Sequence, residues 1–332
     1  MCPSRRNYHA GAAVTRRSAL KGVTISRQTT VAVCVITYRR PEGLGRLLDA
    51  FTKLDVDPEA IVPTFVIVDN DADGSARAVV ERAEQRLRLV YAVEPERGIP
   101  FARNRAVREA AGCDFVAFID DDEIPEPAWL TELVATQQRT AADVVTGPVL
   151  PVFEEPPARW VEAGGFFERP SFPPDSVIPY ATTSSVLISR AVLDRYAKPF
   201  NEAMRFTGGT DTHLFIRLRN AGAKIVWADG AIVEEMFPAS RTTLRWILAR
   251  QYRRGNTLSL CHCDLDRSWR RKLRQVGAGG WAVLRGVGLT ATGIFRGRIH
   301  FVRGLQTVWL GAGLVTGAFR LGYQEYKTVH GA

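Results

Sequence analysis

The sequence predicts an α/β fold in which a mostly parallel central sheet is flanked by helices. Along the first half of the chain, apolar runs rich in β-branched residues, typical of buried parallel strands, alternate with segments of helical periodicity. The 332 residues are 46% hydrophobic and 24% charged, which excludes a disordered, collagen-like or disulfide-stapled chain. Five cysteines, an odd number, do not make a disulfide framework, so we expect a reducing, cytoplasmic setting.

The first half of the chain supplies the clearest elements. Val31–Ile36 is a continuous apolar run, and leucine and phenylalanine residues recur at helical spacing in Pro41–Phe51. Further strands are predicted at Phe65–Val68, Leu89–Val93 and Phe115–Ile119, and further helices at Ala76–Arg86 and Ile99–Ala111. Ligands of such sheets bind at the carboxyl ends of the strands, so the polar residues that follow each strand are the candidates for a site.

The second half is less regular. Proline and aromatic residues are frequent from about residue 150 to Pro174, which is typical of a loop-rich, substrate-facing flap. Strands are predicted at Val144–Val149, Ser184–Ser189 and Lys224–Ala228, and helices at Ala191–Tyr196, Asp211–Ala221 and Thr242–Leu260. No internal repeat is visible.

The net charge of +9 is concentrated at the two ends of the chain. Residues 1–29 carry +6 and residues 264–332 carry +8, which leaves −5 for residues 30–263. A basic chain often binds nucleic acid or an anionic membrane, but the acidic middle argues against a nucleic-acid groove. We interpret residues 1–29 as a disordered basic leader, because the twin-arginine-like segment at 15–21 lacks the apolar stretch of an export signal.

Four adjacent carboxylates, Asp120–Glu123, directly follow the strand Phe115–Ile119. They repel one another unless a cation is near, and carboxylate oxygens suit Mg²⁺ or Mn²⁺, which would also bind a diphosphate. The alternative is a solvated acidic turn before a helix that starts near Ala128. The buried strand immediately before the cluster favours the metal site.

A second polar group, Asp69–Asn70–Asp71, follows the strand Phe65–Val68. Its first carboxylate could accept a hydrogen bond from a base or a ribose, or it could form an Asx turn before the next helix. Gly43 and Gly45 resemble part of a dinucleotide-binding fingerprint. They lie too far beyond the first strand, however, and the third small residue is missing, so we do not predict a dehydrogenase.

Two further groups lie in the second half. Gly208 and Gly209 precede Thr210 and Asp211 at a predicted helix start, where Asp211 is either an N-cap or an exposed general base. The basic segment Arg250–Arg254 could bind phosphates through its guanidinium groups or form a solvated face.

Taken in order, these pieces resemble an inverting family 2 glycosyltransferase of the GT-A fold. The resemblance covers residues 31–257 and is strongest to exopolysaccharide glucosyltransferases of the succinoglycan-biosynthesis type, which extend a sugar chain on a polyprenyl diphosphate carrier. It is carried by six motifs: Val35–Pro41, Val66–Asp71, Gly98–Asn104, Phe118–Glu123, Gly208–Asp211 and Arg253–Thr257.

The resemblance implies a role for each matching position. Asp211 would be the catalytic base, Asp122 the firmest metal ligand, and Asp120 a ligand of the ribose or the metal. The nucleotide would be bound by Thr37, Tyr38, Arg39, Asp69, Arg103, Asp120 and Asp121. The acceptor or its diphosphate would meet Gly209, Thr210, Arg253 and Arg254. Relatives commonly have Glu where this chain has Thr210, and an acid where it has His213, so acceptor or donor preference can differ.

The function expected from this resemblance is transfer of a hexose, with glucose favoured, from a UDP-sugar to a polyprenyl-diphosphate-linked saccharide with Mg²⁺ or Mn²⁺. Such transfer needs a carboxylate to take the proton of the attacking sugar hydroxyl. The alternatives are a noncatalytic or altered-specificity sugar-binding relative and a sugar nucleotidyltransferase. A sugar nucleotidyltransferase would need a glycine-rich loop with a lysine after the first strand, and this sequence lacks such a loop.

The domains predicted are the glycosyltransferase domain 30–263, with a nucleotide-sugar half 30–123 and an acceptor half 124–263, and the tail 264–332. In the tail, Trp281, Leu284, Gly288, Ala291 and Phe295 share one helical face, and Gly304–Phe319 is apolar. The tail is either a helix pair packed on the catalytic domain or a set of in-plane helices whose arginines meet anionic lipid. We favour the second, which predicts a peripheral or monotopic protein on the cytoplasmic face of the inner membrane.

Overall fold

The computed structural model describes residues 28–205 and 207–321. The strands are β1 Thr29–Thr37, β2 Ile61–Asp69, β3 Leu89–Val93, β4 Phe115–Phe118, β5 Glu123–Pro125, β6 Val144–Thr146, β7 Val149–Phe153, β8 Val186–Ser189, β9 Ile225–Trp227 and β10 Val233–Phe237. The helices are α1 Pro41–Phe51, α2 Arg77–Ala83, α3 Ile99–Glu109, α4 Trp129–Thr140, α5 Arg159–Gly164, α6 Arg190–Leu193, α7 Thr210–Asn220, α8 Leu244–Leu265, α9 Trp269–Arg296 and α10 Arg298–Ala318.

Seven strands form the central sheet in the order β3-β2-β1-β4-β8-β6-β9. All neighbours are parallel except those of β8, which runs antiparallel to both β4 and β6. Both faces are covered, because alternate residues of β1 point to opposite layers: Val33 packs with α1, α2 and α4, and Cys34 packs with α3, α6 and α7. The structure confirms the predicted fold class, a mostly parallel sheet between helices.

The parallel register brings the ends of three strands together. Thr37 pairs with Asp69 at the carboxyl ends of β1 and β2, and Cys34 pairs with Phe118 at the end of β4. The polar residues that follow β1, β2 and β4 therefore meet along one edge of the sheet, where ligands of open α/β sheets bind.

The predicted single strand Val144–Val149 is wrong. Val144–Thr146 belongs to the central sheet, whereas β7 pairs with β10 in a second sheet of order β5-β10-β7. The chain changes sheets at Gly147, where the backbone of Ala231 lies so close that a side chain could not fit. Sequence patterning also missed β5, β10 and α5, which are three to six residues long and too short to show a period.

The helices α8, α9 and α10 pack side by side through glycines. Gly255 of α8 meets the backbone of Leu310 in α10, and Gly286 of α9 lies against Val308 of α10. The C-terminal helices thus do pack on the rest of the chain, α10 on α8 and α9 on α10. Within the described ranges, no helix is both long and apolar enough to cross a membrane.

The basic leader predicted at 1–29 lies outside the described residues except for its last two positions, and Thr29 already begins β1. The end of the predicted tail, from residue 322, is also outside the described part.

Candidate active site

The acidic segment after β4 is held by two of its own carboxylates. Asp121 accepts hydrogen bonds from Thr37 Oγ1 at 2.8 Å and Arg40 Nη1 at 3.2 Å. Glu123 accepts one from the backbone N–H of Asp120 at 2.9 Å. Burial raises the pKa of Asp121 to about 6, a rise that Arg40 opposes, and burial also raises the pKa of Glu123 well above its usual range. The hydrogen bonds of Asp121 and Glu123 therefore fix the conformation of the segment.

The second sheet fixes the same segment from the other side. Glu235 of β10 pairs with Glu123 of β5, and Arg169 lies 2.6 Å from the Glu235 carboxylate. The backbone N–H of Met236 also donates to the carbonyl of Asp122. The acidic segment is therefore clamped between two sheets, with Arg169 offsetting part of its charge.

The other two carboxylates of the segment remain accessible. The side chain of Asp120 is 36% exposed, and it lies 3.5 Å from Arg103 and 3.4 Å from Ser184 Oγ, which donates to it. Desolvation in the recess still raises the pKa of Asp120 to about 6, against the opposing effect of Arg103. The side chain of Asp122 is 29% exposed and lies 3.1 Å from Arg40 and 3.7 Å from Arg241.

The donor set fits a divalent ion that is shared with a phosphate. Within the described residues, no group of three or more His, Cys, Asp or Glu side chains is arranged to hold a metal. Mg²⁺ sites on nucleotides commonly use only one or two carboxylates and take the other ligands from phosphate and water. Asp120 and Asp122 are the two carboxylates of the segment that could do this, whereas Asp121 is committed to Thr37 and Arg40.

The candidate base lies at the start of α7. Gly208 and Gly209 adopt left-handed φ angles of 72° and 79°, and Gly209 packs against the side chain of Thr257 on α8, so a larger residue would not fit. The N-cap position is held by Gly209, so Asp211 is not the cap. Its half-buried carboxylate accepts from the Thr212 N–H at 2.7 Å and is close enough to help raise the pKa of Asp120.

Arg103 links the acidic segment after β4 to the start of α7. Its guanidinium donates to Thr210 Oγ1 at 2.8 Å, lies 3.5 Å from Asp120 and packs over the ring of Phe200. The residue is only 7% exposed. The structure therefore places Arg103 where it ties the end of β4 to the start of α7, and its predicted contact with the nucleotide stays a prediction.

We expect Arg103→Gln to destabilise the fold by about 1–3 kcal/mol, because Thr210 and Asp120 would lose a buried charged donor. The free energy of unfolding in urea measures this. The control is Arg105→Gln on the same helix, whose partner Glu109 is 2.6 Å away but partly exposed, and we expect that change to cost under about 1 kcal/mol. Equal stability of the two variants would contradict the bracing role of Arg103.

The residues after β1 and β2 lie beside the acidic segment, at the same edge of the sheet. Tyr38 lies beside two guanidinium groups, with Arg39 at 5.3 Å and Arg97 at 5.0 Å from its ring centre. Arg39 has a left-handed φ of 54° and donates from Nε to Asp71 at 2.9 Å, which lowers the pKa of Asp71. Tyr38 and the half-exposed Arg39 are accessible here, whereas Thr37 is buried.

Asp69 has the geometry of an Asx turn. The carboxylate is fully buried, and it accepts from the N–H groups of Asp71 at 3.0 Å and Ala76 at 2.7 Å and from Tyr91 Oη at 3.1 Å. Both oxygens thus hold the loop between β2 and α2. The structure shows this local role, and a contact between Asp69 and uracil stays a prediction.

The basic segment of α8 lies near the second sheet, where Glu235 of β10 is close enough to affect the pKa of Arg250. Arg250 is enclosed by the rings of Phe167, Phe237 and Trp246 at 5.3 to 5.7 Å, and burial lowers its pKa to about 10, with Arg253 and Arg254 adding to the effect. Arg253 is half-buried and Arg254 is exposed, so these two can reach a ligand while Arg250 packs against the aromatic rings.

His213, at the position where relatives have an acid, belongs to a separate contact. Its Nε2 lies 3.2 Å from Asp264 Oδ2 near the end of α8. Burial lowers the pKa of His213, against the opposing effect of Asp264. The residue therefore joins α7 to α8.

Sequence reasoning missed four side chains that contact the acidic segment or lie close enough to offset its charge. Arg40 lies inside the motif Val35–Pro41, but no role was predicted for it. The others lie far away in the chain and meet the segment only in the folded state: Arg169, Ser184 and Arg241.

Comparison with known proteins identifies the family. The family described as "Glycosyltransferase like family 2" matches residues 28–256. The succinoglycan biosynthesis protein ExoM of Rhizobium meliloti (strain 1021) is 34% identical over 229 residues, which are 68% of this chain and 73% of ExoM.

Two solved structures share the fold. Mannosyltransferase PcManGT from Pyrobaculum calidifontis, in complex with GDP-Man and Mn²⁺, aligns with a TM-score of 0.60 at 18% identity, covering 89% of this chain and 88% of that one. S. aureus TarS 1-349, in complex with UDP, aligns with a TM-score of 0.50 at 17% identity, covering 91% and 94%. The chain belongs to glycosyltransferase family 2 and has the GT-A fold.

Proposed function

We propose that this chain is a metal-dependent, inverting hexosyltransferase that moves a hexose from a UDP-sugar to a polyprenyl-diphosphate-linked saccharide. The observation that carries the proposal is the placement of Asp211 at the start of α7, close enough to raise the pKa of the accessible Asp120, which Asp122 also raises. One recess thus holds a candidate base beside a candidate site for a metal and a diphosphate.

The donor half of the proposal assigns residues 30–123 to the nucleotide sugar. Tyr38 and Arg39 line the nucleotide pocket, while Thr37 acts through its hydrogen bond to Asp121. A bound Mg²⁺ or Mn²⁺, held by Asp120 and Asp122, would offset the charge that develops on the departing nucleoside diphosphate. TarS was solved with UDP and PcManGT with GDP-Man and Mn²⁺, which supports a nucleotide-sugar donor and a divalent ion.

The acceptor half of the proposal assigns residues 124–263 to the lipid-linked saccharide. Asp211 takes the proton of the attacking sugar hydroxyl, which is otherwise a poor nucleophile. Attack opposite the leaving group inverts the anomeric centre and needs no covalent enzyme intermediate, so a single carboxylate base is enough. Gly209 and Thr210 shape the start of the base helix, and Arg253 and Arg254 meet the diphosphate of the acceptor.

The biological setting proposed is exopolysaccharide or cell-surface glycan synthesis, which the name of ExoM supports. A polyprenyl carrier is embedded in the membrane, so we place the enzyme peripherally or monotopically at the cytoplasmic face of the inner membrane. The tail 264–332, which carries +8, supplies the contact with an anionic surface.

Release of nucleoside diphosphate from a panel of nucleotide sugars tests this function. With Mn²⁺ and a lipid-linked saccharide fraction, we expect the full chain to release UDP fastest from UDP-glucose or another UDP-hexose. A chain that releases nothing from any donor would be a noncatalytic relative. Thr210 and His213 are the two positions at which the chain departs from the pattern of its relatives. Release of pyrophosphate from UTP and a sugar phosphate would instead indicate a nucleotidyltransferase.

A further inference from the structure

Helix α9 has one side that is fixed by packing. Gly279, Gly286 and Gly293 are seven residues apart, all three are buried, and each lies against the backbone of α10. A methyl group at Gly286 would lie 2.6 Å from the Val308 nitrogen. The close approach fixes the rotation of α9 about its own axis, so the direction of its other faces is determined.

The opposite side of α9 is apolar and open. Phe295 is 91% exposed, and Trp281 and Leu284 are each 69% exposed. At 100° per residue, Leu273, Trp281, Leu284 and Phe295 lie within about 40° of the direction opposite the glycines, and Val287 and Ile294 lie on one flank of that face. Large apolar side chains that are exposed on one face of a helix indicate an interaction site.

A basic edge borders this apolar face. Arg274, Arg285 and Arg296 are exposed and recur every eleven residues, which is close to three helical turns, so they lie in one row. The whole stretch from residue 267 to residue 321 contains no aspartate or glutamate. Helix α9 therefore presents an apolar face and a row of cations along about 42 Å of helix.

We propose that α9 is the docking element for an anionic lipid bilayer and lies in the plane of its surface. Trp281, Leu284 and Phe295 enter the boundary between headgroups and acyl chains, and the arginine row contacts lipid phosphates. The inference rests on the proposed function for its membrane partner and adds which face binds. A second copy of α9 is a poorer occupant, because it brings the same positive charge and no acid.

Sedimentation of the full chain with vesicles tests the apolar face. Wild type is expected to bind vesicles of phosphatidylglycerol and phosphatidylcholine, and the variant Trp281→Ser/Leu284→Ser/Phe295→Ser is expected to bind at least about tenfold more weakly, since each side chain loses its apolar burial. The control Val177→Ser removes an apolar side chain that is 68% exposed elsewhere and should bind like wild type. Wild-type binding by the α9 variant overturns the proposal.

The arginine row is tested by Arg274→Gln/Arg285→Gln/Arg296→Gln. Each arginine near an anionic surface contributes about fivefold in affinity, so we expect a loss on the order of a hundredfold on anionic vesicles and little change on phosphatidylcholine alone. The charge-matched control, Arg82→Gln/Arg88→Gln/Arg195→Gln, changes exposed arginines away from α9 and should bind within a few fold of wild type. Equal losses in both variants would assign the effect to net charge and overturn the proposal.

Two further readouts separate this inference from the proposed function. Donor hydrolysis in solution should be unchanged in both α9 variants, because none of the altered residues lies in the active site. If the α9 variants lose vesicle binding and keep donor hydrolysis, the docking face is supported. If wild type binds vesicles but hydrolyses no donor, only the enzymatic proposal is contradicted. Light scattering that finds a dimer abolished by the apolar variant, without vesicle binding by wild type, would overturn the lipid assignment.

Discussion

Replacing Asp211 with asparagine is expected to lower sugar transfer by about a hundred- to ten-thousandfold. Asparagine keeps the size of aspartate and an oxygen that can accept from the Thr212 N–H, so the start of α7 should be preserved. It cannot take a proton from a sugar hydroxyl, however. The affinity for UDP should stay unchanged, because the nucleotide pocket that we propose lies at the ends of β1 and β2 rather than on α7.

The measurement is turnover with saturating donor and acceptor, together with calorimetric titration of UDP. Asp194→Asn is the matched control, since Asp194 is an exposed carboxylate paired with Arg190 at 2.7 Å on the outer surface. We expect it to transfer at the wild-type rate. Turnover of Asp211→Asn within a few fold of wild type would show that another group accepts the proton.

The fold was predictable because, in the first half of the chain, the hydrophobic pattern of each segment matches its place in the buried sheet or in the helix layers. Helix α1 has the predicted bounds Pro41–Phe51, and β3 has the predicted bounds Leu89–Val93. Both faces of the sheet are buried, so its strands are continuous apolar runs that differ clearly from the helices between them. That alternation also put Asp120 and Asp122 at a strand end, where the structure shows them.

The second half was harder because its elements are short and its contacts distant. The break between β6 and β7 depends on the Ala231 backbone at Gly147, which no window around residue 147 contains. Arg103 of the first half donates to Thr210 of the second half, more than one hundred residues away, and also lies near Asp120. Such pairings are set by the packing of α3 against the sheet and leave no local signal.

The hydrogen bond from Arg103 explains how Thr210 affects the charges of the site. The Glu that the resemblance implies for this position would carry a negative charge, whereas Thr210 offers Arg103 a neutral acceptor. The guanidinium charge is therefore left to Asp120, which lies 3.5 Å away. In this chain, a single side chain, Arg103, links the charge balance of Asp120 to the start of α7.

Replacing Asp122 with asparagine is expected to remove the effect of Mn²⁺ on UDP binding. In wild type, Mn²⁺ alone should bind weakly, because within residues 28–205 and 207–321 no three potential ligands are grouped. Mn²⁺ together with UDP should bind well, because the diphosphate supplies the missing oxygens. We expect Mn²⁺ to strengthen UDP binding at least about tenfold in wild type and hardly at all in Asp122→Asn.

The neighbours of Asp122 make this result distinctive. Its carboxylate lies 3.1 Å from Arg40 and 3.7 Å from Arg241, and both guanidinium groups lose that partner in Asp122→Asn. They can then attract the diphosphate directly, so UDP binding without metal should be retained or strengthened. A simple loss of folding or of the pocket would instead weaken UDP binding with and without metal.

Calorimetric titration of UDP, with Mn²⁺ and with chelator, measures both effects. The control Asp49→Asn removes an exposed carboxylate that pairs with Arg86 at 2.9 Å away from the site, and it should keep the full response to Mn²⁺. A wild-type response in Asp122→Asn would contradict its assignment as a metal ligand and leave Asp120 as the remaining accessible carboxylate of the segment. The Asp122 test measures binding and the Asp211 test measures turnover, so either can fail without the other, and each tests the role of its own residue.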